Sequence, residues 1–536
     1  MNQVTTSTQA AADPYERRAA DCDVMLLLEG TFPYVSGGVS SWVNQIIRGF
    51  PEIRFGLCFI GSRPQDYGSP KYQLPDNVVH LERHYIHEHL AAPNVTRSRG
   101  DAAAFAQMDE LHTKFRDYGR GGASHEALTG LLAELIPQMA DGGKLDQDSF
   151  LFSKKAWDYL AEQYRSFCTD PSFVDYFWTV RIMHLPIWTL ARVARNMIPA
   201  RCYHTISTGY AGFLGSLMKM QTGRPLILSE HGIYTKERKI DLFQSEWIRD
   251  NRNVFEKDAS QIPYFRDLWI RFFEALGRLC YQASNNIVAL YETNRLRQVS
   301  DGAPAERTMN IPNGIDLPRL SKLRAQRSEN IPPVLCLLGR VVPIKDVKTF
   351  IRAMRTVVNH YPQAEAWIAG PEDEDQAYAE ECHAIADGLG LTDKVKFLGF
   401  QKIDELMPKI GLVVLSSISE ALPLVLLEGF AAGVPAVATD VGSCRQLIFG
   451  LSDEDKALGA AGDVVGIAEP QALANAALKL LTDPQRWREA QAAGIARVER
   501  FYTQDMVFGA YRRLYEDALA LPSAPTASAL RCPVKH

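Results

Sequence analysis

Glu420-Ala-Leu-Pro-Leu-Val-Leu-Leu-Glu428 carries the clearest signature of local structure in the chain. Before it runs Gly411-Leu-Val-Val-Leu-Ser416, apolar and short, which reads as a buried strand. Ser417 and Ser419 mark a turn. Pro423 is expected at the first helical position, where its missing N–H costs nothing. Good helix formers follow from Leu424, and Gly433 with Pro435 ends the helix. A strand, a loop and a helix N-terminus in that order form a cradle for a diphosphate, because free N–H groups and the positive dipole end point at one place. Glu420 falls in the loop and Glu428 between one and two turns into the helix. Two carboxylates there suit sugar and ribose hydroxyls, which donate to carboxylate oxygens. The alternative is a buried Glu at a helix start and a second Glu facing solvent.

Working outward, the C-terminal part alternates strand and helix. Strands are expected at 334–339, 364–369, 394–398, 411–416 and 436–439, and late helices at 471–481, 485–500 and 504–519. Arg340 and Lys345 directly follow the first of these strands, where two cations can hold a diphosphate and neutralise a phosphate leaving group. A solvated Arg/Lys turn is the other reading.

The N-terminal part opens on a strand at 23–29, then Gly30-Thr-Phe-Pro-Tyr-Val-Ser-Gly37-Gly38 and a helix near Val39. Gly37-Gly38 lets backbone approach a ligand closely but lacks the third glycine of the dinucleotide fingerprint. Strands at 54–60 and 78–83 follow. Residues 91–199 then show helical periodicity with many aromatics, so a helical insertion is expected, with Phe173 to Trp178 dense enough to line an acceptor groove. The alternation resumes at 202–206 and 225–229. The latter strand ends in Glu230-His231-Gly232, and a His beyond the C-terminal end of such a strand is placed to meet a ligand. A strand at 286–290, the turn Pro312-Asn313-Gly314 and a polar linker over 321–333 complete the half.

A chain of 536 residues is too long for one core, and 46% hydrophobic with 23% charged residues is a globular composition. A net charge of −5 gives no basic field, so no nucleic-acid partner is expected. The nine cysteines include no Cys-x-x-Cys pair, which argues against a disulfide framework or structural zinc and suits a reducing cytoplasm. No apolar run approaches the roughly 20 residues of a spanning helix.

Several features coincide in order: Gly37-Gly38, His231-Gly232, Pro312-Asn313-Gly314-Ile315-Asp316, Gly339-Arg340 with Lys345, and Glu420-x7-Glu428. Together they resemble the retaining GT-B glycosyltransferases of family 4 over about residues 23–520. The segments 30–42 and 229–235 resemble the cytoplasmic branch that serves bacterial Pel exopolysaccharide synthesis. The resemblance implies an α/β fold of two Rossmann-like domains facing a cleft. The expected division is a disordered tail at 1–20, an acceptor-side domain at 21–318 and a donor-side domain at 331–500. A helix at 501–520 crosses back to the first domain, and 521–536 is a disordered end. It implies sugar transfer from a nucleotide diphosphate donor, with UDP the favoured nucleotide, to a growing glycan. Arg340 and Lys345 would bind the diphosphate beside the Leu424-Val425 helix start. Glu420 would meet the donor sugar, Glu428 the ribose and His231 the sugar near the reacting carbon, and Gly37-Gly38 would cover the phosphates. No cofactor and no metal are expected. Partners would be the nucleotide-sugar, the glycan acceptor and inner-membrane synthesis and export proteins, with the chain cytoplasmic and peripheral at that membrane. Many family members carry Gly-Phe-Gly after the first Glu, where this chain has Ala421-Leu422-Pro423. A nucleotide-sugar epimerase, a sugar phosphorylase and an inactive nucleotide-sugar sensor are the alternatives.

Overall fold

The computed structural model describes residues 15–87, 98–118, 121–122, 124–245, 247–252 and 261–521. The chain divides into two compact units. The first holds the described residues up to Ala289, Leu296–Met309 and those from Arg512; the second holds Leu290–Arg295 and Asn310–Tyr511.

The first unit is built on an eight-stranded sheet. Its strands are β1 (Tyr15–Arg17), β2 (Cys22–Glu29), β3 (Phe55–Gly61), β4 (Val78–Tyr85), β5 (Ala200–Thr205), β6 (Leu226–Glu230), β7 (Asn286–Ala289) and β8 (Thr308–Asn310). They lie in the order β1-β4-β3-β2-β5-β6-β7-β8. Strands β2 to β7 pair in parallel and β1 joins β4 antiparallel. β3 is buried along its whole length and β2 nearly so, which is why both read as continuous apolar runs. Between β4 and β5, five helices among the described residues lie within Ala102–Asn196 and bury Phe105, Leu128, Phe150, Leu160 and Trp188 in one core with the sheet. Ser124, Asp146, Ser153 and Ser172 cap four of these helices by accepting first-turn N–H groups. Trp157 and Trp178 stay half exposed.

The second unit carries a six-stranded sheet of β9 (Val334–Leu338), β10 (Glu365–Ala369), β11 (Val395–Gly399), β12 (Leu412–Leu415), β13 (Ala436–Thr439) and β14 (Gly462–Val465). The order is β11-β10-β9-β12-β13-β14, all parallel. From β2 in the first sheet and β9 in the second, the chain winds one way and then reverses. The reversal falls between β2 and β5 in one unit and between β9 and β12 in the other. Crevices for ligands open beyond the carboxyl ends of strands at such points. Arg497, fully buried, ties the last part of the second unit together by donating to Asp455 Oδ1 at 2.5 Å and to the Ile448 and Gly459 carbonyls.

The structure differs from the sequence reading in several places. Residues 15–17, expected within a disordered tail, form β1. The expected linker at 321–333 begins with a 3-10 helix, Ser321–Gln326, that buries Leu323. The long amphipathic helix Tyr264–Ala283 and the short strands β8 and β14 were not anticipated. The helix Gln504–Ala520 belongs to the second unit up to Tyr511 and to the first from Arg512, where Tyr515 OH meets His204 Nδ1 at 2.8 Å. The disordered end expected at 521–536 lies, beyond Leu521, outside the described residues, as do residues 1–14 of the expected tail.

Candidate active site

In the second unit, the carboxyl ends of β9 and β12 bring two sequence-distant groups together. After β9, Gly339 turns at a φ of 154°, and the 3-10 turn Pro343–Lys345 follows. Asp346, in the left-handed region that Asp tolerates, then caps the helix Val347–His360 by accepting from Thr349 N–H. Lys345 is thereby held at the strand end, and its ammonium donates to Glu420 Oε1 at 2.5 Å. Ser417 Oγ–H donates to the same oxygen at 2.7 Å. Ser416 Oγ–H donates to the Lys345 carbonyl and Ile418 N–H to the Ile344 carbonyl, so the two loops are tied together at two points. The third wall is Gly442. A Cβ there would sit 2.3 Å from the Glu420 carbonyl oxygen and 2.4 Å from that of Ala421, at a φ of 53°. Only glycine lets that loop approach so closely.

Pro423 occupies the N-cap, one position earlier than expected, and Leu424–Ala431 is helical. The Leu424 and Val425 N–H groups have no partner inside the helix, as in any first turn, and start four residues after Glu420. Glu428 is half-buried. Burial pushes its carboxyl above the ordinary value, opposed by Arg319 and reinforced by Asp404. Arg340 is half exposed, with Nη1 on both carboxylate oxygens of Glu374 at 2.5 and 2.6 Å. Thus Lys345 and Glu420 meet directly, whereas Arg340 is paired elsewhere.

In the first unit, Gly37 and Gly38 are exposed. An added Cβ would meet nothing within 4 Å at either, and Gly37 is extended, so neither the fold nor the backbone requires the pair. His231 follows β6, buried, with Trp42 edge-on at 4.7 Å between ring centroids. Burial lowers its pKa to about 4, and its buried Nε2 makes no hydrogen bond. It is therefore a neutral imidazole. The neighbouring Glu230 is fully enclosed, and burial raises its carboxyl to about 7 against donation from Tyr281 OH, Gln298, Tyr234 N–H and Thr208.

Sequence reasoning missed Glu29 at the end of β2, which accepts from Tyr234 OH at 2.9 Å and from Ser207 Oγ–H and Ala211 N–H at 3.2 Å. It also missed Ser417 as more than a turn residue, and Gly442. The position of Glu29 at a strand's carboxyl end was the available signal.

Residues 22–306 match the family described as Domain of unknown function (DUF3492), and residues 321–497 match Glycosyl transferases group 1. D-inositol 3-phosphate glycosyltransferase 2 of Catenulispora acidiphila is 27% identical over 257 residues, 45% of this chain and 56% of that protein. The lipopolysaccharide core biosynthesis mannosyltransferase LpsB of Rhizobium meliloti is 28% identical over 225 residues, 39% of this chain and 62% of that one. The chain thus spans less than two thirds of the length of these curated relatives. Among solved structures, Anabaena HepE in complex with UDP superposes with a TM-score of 0.54 at 16% identity, covering 92% of this chain and 100% of that one. Sucrose-phosphate synthase of Thermosynechococcus elongatus gives 0.53 at 16%, covering 93% and 99%. At these identities the likeness is one of fold alone, two parallel-sheet Rossmann-like domains of the kind found in GT-B proteins. By the match over more than half its length the chain belongs to the DUF3492 family, and residues 321–497 are similar to the glycosyl transferases group 1.

Proposed function

We propose that this protein is a retaining glycosyltransferase that moves a sugar from a nucleotide diphosphate donor, a UDP-sugar, to a growing exopolysaccharide. The observation that carries the reading is the Lys345–Glu420 pair at the strand reversal of the second unit, four residues before a helix N-terminus. A cation, free N–H groups and a carboxylate in one place suit a diphosphate joined to a sugar. Lys345 and the Leu424-Val425 N–H groups would take the phosphates, with Arg340 released from Glu374 to join them. Glu420 would accept from a sugar hydroxyl and Glu428 from the ribose. The acceptor hydroxyl would attack the anomeric carbon on the face from which the nucleotide leaves, and a departing phosphate oxygen would take its proton. Charge on the leaving group is met by side chains, so no cofactor or metal is assigned to the step. In the first unit we assign His231, a neutral donor or acceptor, to a substrate hydroxyl, and the open Gly37-Gly38 loop to close approach of a ligand.

The UDP held by HepE and the group 1 match of residues 321–497 support the donor class. The motifs at 30–42 and 229–235 resemble PelF, the glycosyltransferase of Pel synthesis, which supports an exopolysaccharide acceptor, a cytoplasmic place and peripheral contact with inner-membrane synthesis and export proteins. Among the described residues no helix is long and apolar enough to cross a membrane. A panel of nucleotide-sugars, offered with glycan acceptors and followed by NMR of the product, tests the reading. Transfer with the donor's anomeric configuration retained is expected. An inverted product, epimerised donor without acceptor, or binding without turnover would overturn it.

A further inference from the structure

The edge of the first sheet carries a group of side chains that sugar transfer does not use. Successive side chains of a strand alternate between faces, so His80, Glu82 and His84 share one face of β4. Cys58 of β3 stands in register beside Glu82. Cys58 Sγ, a Glu82 oxygen and a His84 ring nitrogen all lie within 4.8 Å of one another. Glu82 Oε2 is 3.4 Å from His84 Nε2 and 3.8 Å from His80 Nε2. Cys58 and Glu82 are buried, and His84 keeps 19% of its side chain exposed. Glu82 Oε1 and His84 Nε2 are buried atoms with no hydrogen bond of normal geometry. A buried carboxylate requires a compensating charge, and the ion-pair partners of Glu82 among the described residues are imidazoles.

We propose that Cys58, Glu82 and His84 bind a divalent metal ion of the zinc type. Thiolate, imidazole and carboxylate are the zinc donor set, and bonds of about 2.0–2.3 Å place tetrahedral ligand atoms roughly 3.3–3.8 Å apart. The contact of Glu82 with His84 already has that spacing. His80 is a positioning residue. Its Nδ1 accepts from Ala19 N–H, so Nε2 carries the proton and faces Glu82, orienting the carboxylate. Cys58 loses its thiol proton as the metal binds, and the released proton passes to solvent. Three protein ligands leave the fourth position to water. The metal would fasten β3 to β4 at the edge where β1 joins. This holds whatever the protein transfers.

The test is metal binding by the full-length chain. Purified protein should carry a single zinc ion per chain by mass spectrometry. The Co2+-substituted protein should show a thiolate-to-cobalt charge-transfer band. Cys58→Ser should abolish that band, and His84→Ala should abolish stoichiometric binding. His80→Ala, which removes no ligand, should keep the band and weaken zinc binding by about ten- to a hundredfold. Circular dichroism checks that each variant folds, and the wild-type measurement stands without them. Metal-free protein that takes up no zinc, or cobalt bound without a thiolate band, would overturn the proposal.

Discussion

Glu420→Gln in the second unit isolates what the Lys345 ion pair does. The Lys345 ammonium donates to Glu420 Oε1 at 2.5 Å, so a diphosphate bound by Lys345 would compete with a carboxylate for it. The two side chains are 24% and 14% exposed. That places the pair between exposed ion pairs, worth about 0–1 kcal/mol, and buried ones, where losing a partner costs about 3–5 kcal/mol. We take about 1–2 kcal/mol, a factor of roughly 5 to 30 in affinity. Glu420→Gln keeps the shape, still accepts from Ser417, and removes the competing charge. UDP should therefore bind it no more weakly than wild type, and up to that factor more tightly. Turnover with intact donor should fall, because the sugar loses its acceptor. Lys345→Ala should lose a charge-assisted hydrogen bond of about 1.5–3 kcal/mol, roughly ten- to a hundredfold in UDP affinity, and more because Glu420 then faces the phosphates unpaired. The double variant should recover part of that loss. Calorimetry with UDP at fixed ionic strength reads all three. A tenfold loss of UDP affinity in Glu420→Gln, or a double variant no better than Lys345→Ala, would refute the reasoning.

Other expectations follow from single residues. Glu428→Gln should weaken UDP and intact UDP-sugar by similar factors, on the order of ten to a hundred, since both carry the ribose; an effect on the donor alone would move Glu428 to the sugar. Gly442→Ala should lower both stability and turnover, because its Cβ would sit against the Glu420 and Ala421 carbonyls; thermal melts and steady-state rates check this. Glu230 adds a pH signature. Its folded carboxyl, carried from 4.5 to about 7, holds a proton that the unfolded chain has released. Stability should therefore fall as pH rises from about 4.5 to 7, by about 3 kcal/mol, and level off above. Glu230→Gln should flatten that slope in denaturant titrations, and identical pH profiles would contradict the assignment.

The parts of the fold legible in the sequence were those with continuous burial. Cys22–Glu29, Phe55–Gly61 and Leu412–Leu415 are enclosed on both faces, so their apolar runs announce them. β1 and β14 are three and four residues long, with polar members, and give no such run. Tyr264–Ala283 was readable in principle, since Phe265, Trp269, Ile270, Phe273, Leu276 and Cys280 repeat at helical spacing. At the candidate site, Lys345 and Glu420 were each visible as residues beyond a strand, but 75 positions separate them and only the β9–β12 pairing makes them neighbours. The group at Cys58, Glu82 and His84 was hidden for the same reason. Its ligands come from adjacent parallel strands at alternate positions, a spacing that short metal motifs do not contain.

Side-chain cations of the second unit are assigned to the nucleotide diphosphate. UDP binding by calorimetry, in buffer without Mg2+ or Mn2+, tests that assignment most directly when wild type is set beside Arg340→Ala/Lys345→Ala. Both side chains lie at the surface or near it, so the variant should fold. The account predicts binding by wild type without divalent metal and a loss of at least about a hundredfold in the variant, two charge-assisted contacts having gone. Binding that appears only when Mg2+ or Mn2+ is added, or a variant that keeps wild-type affinity, would contradict it.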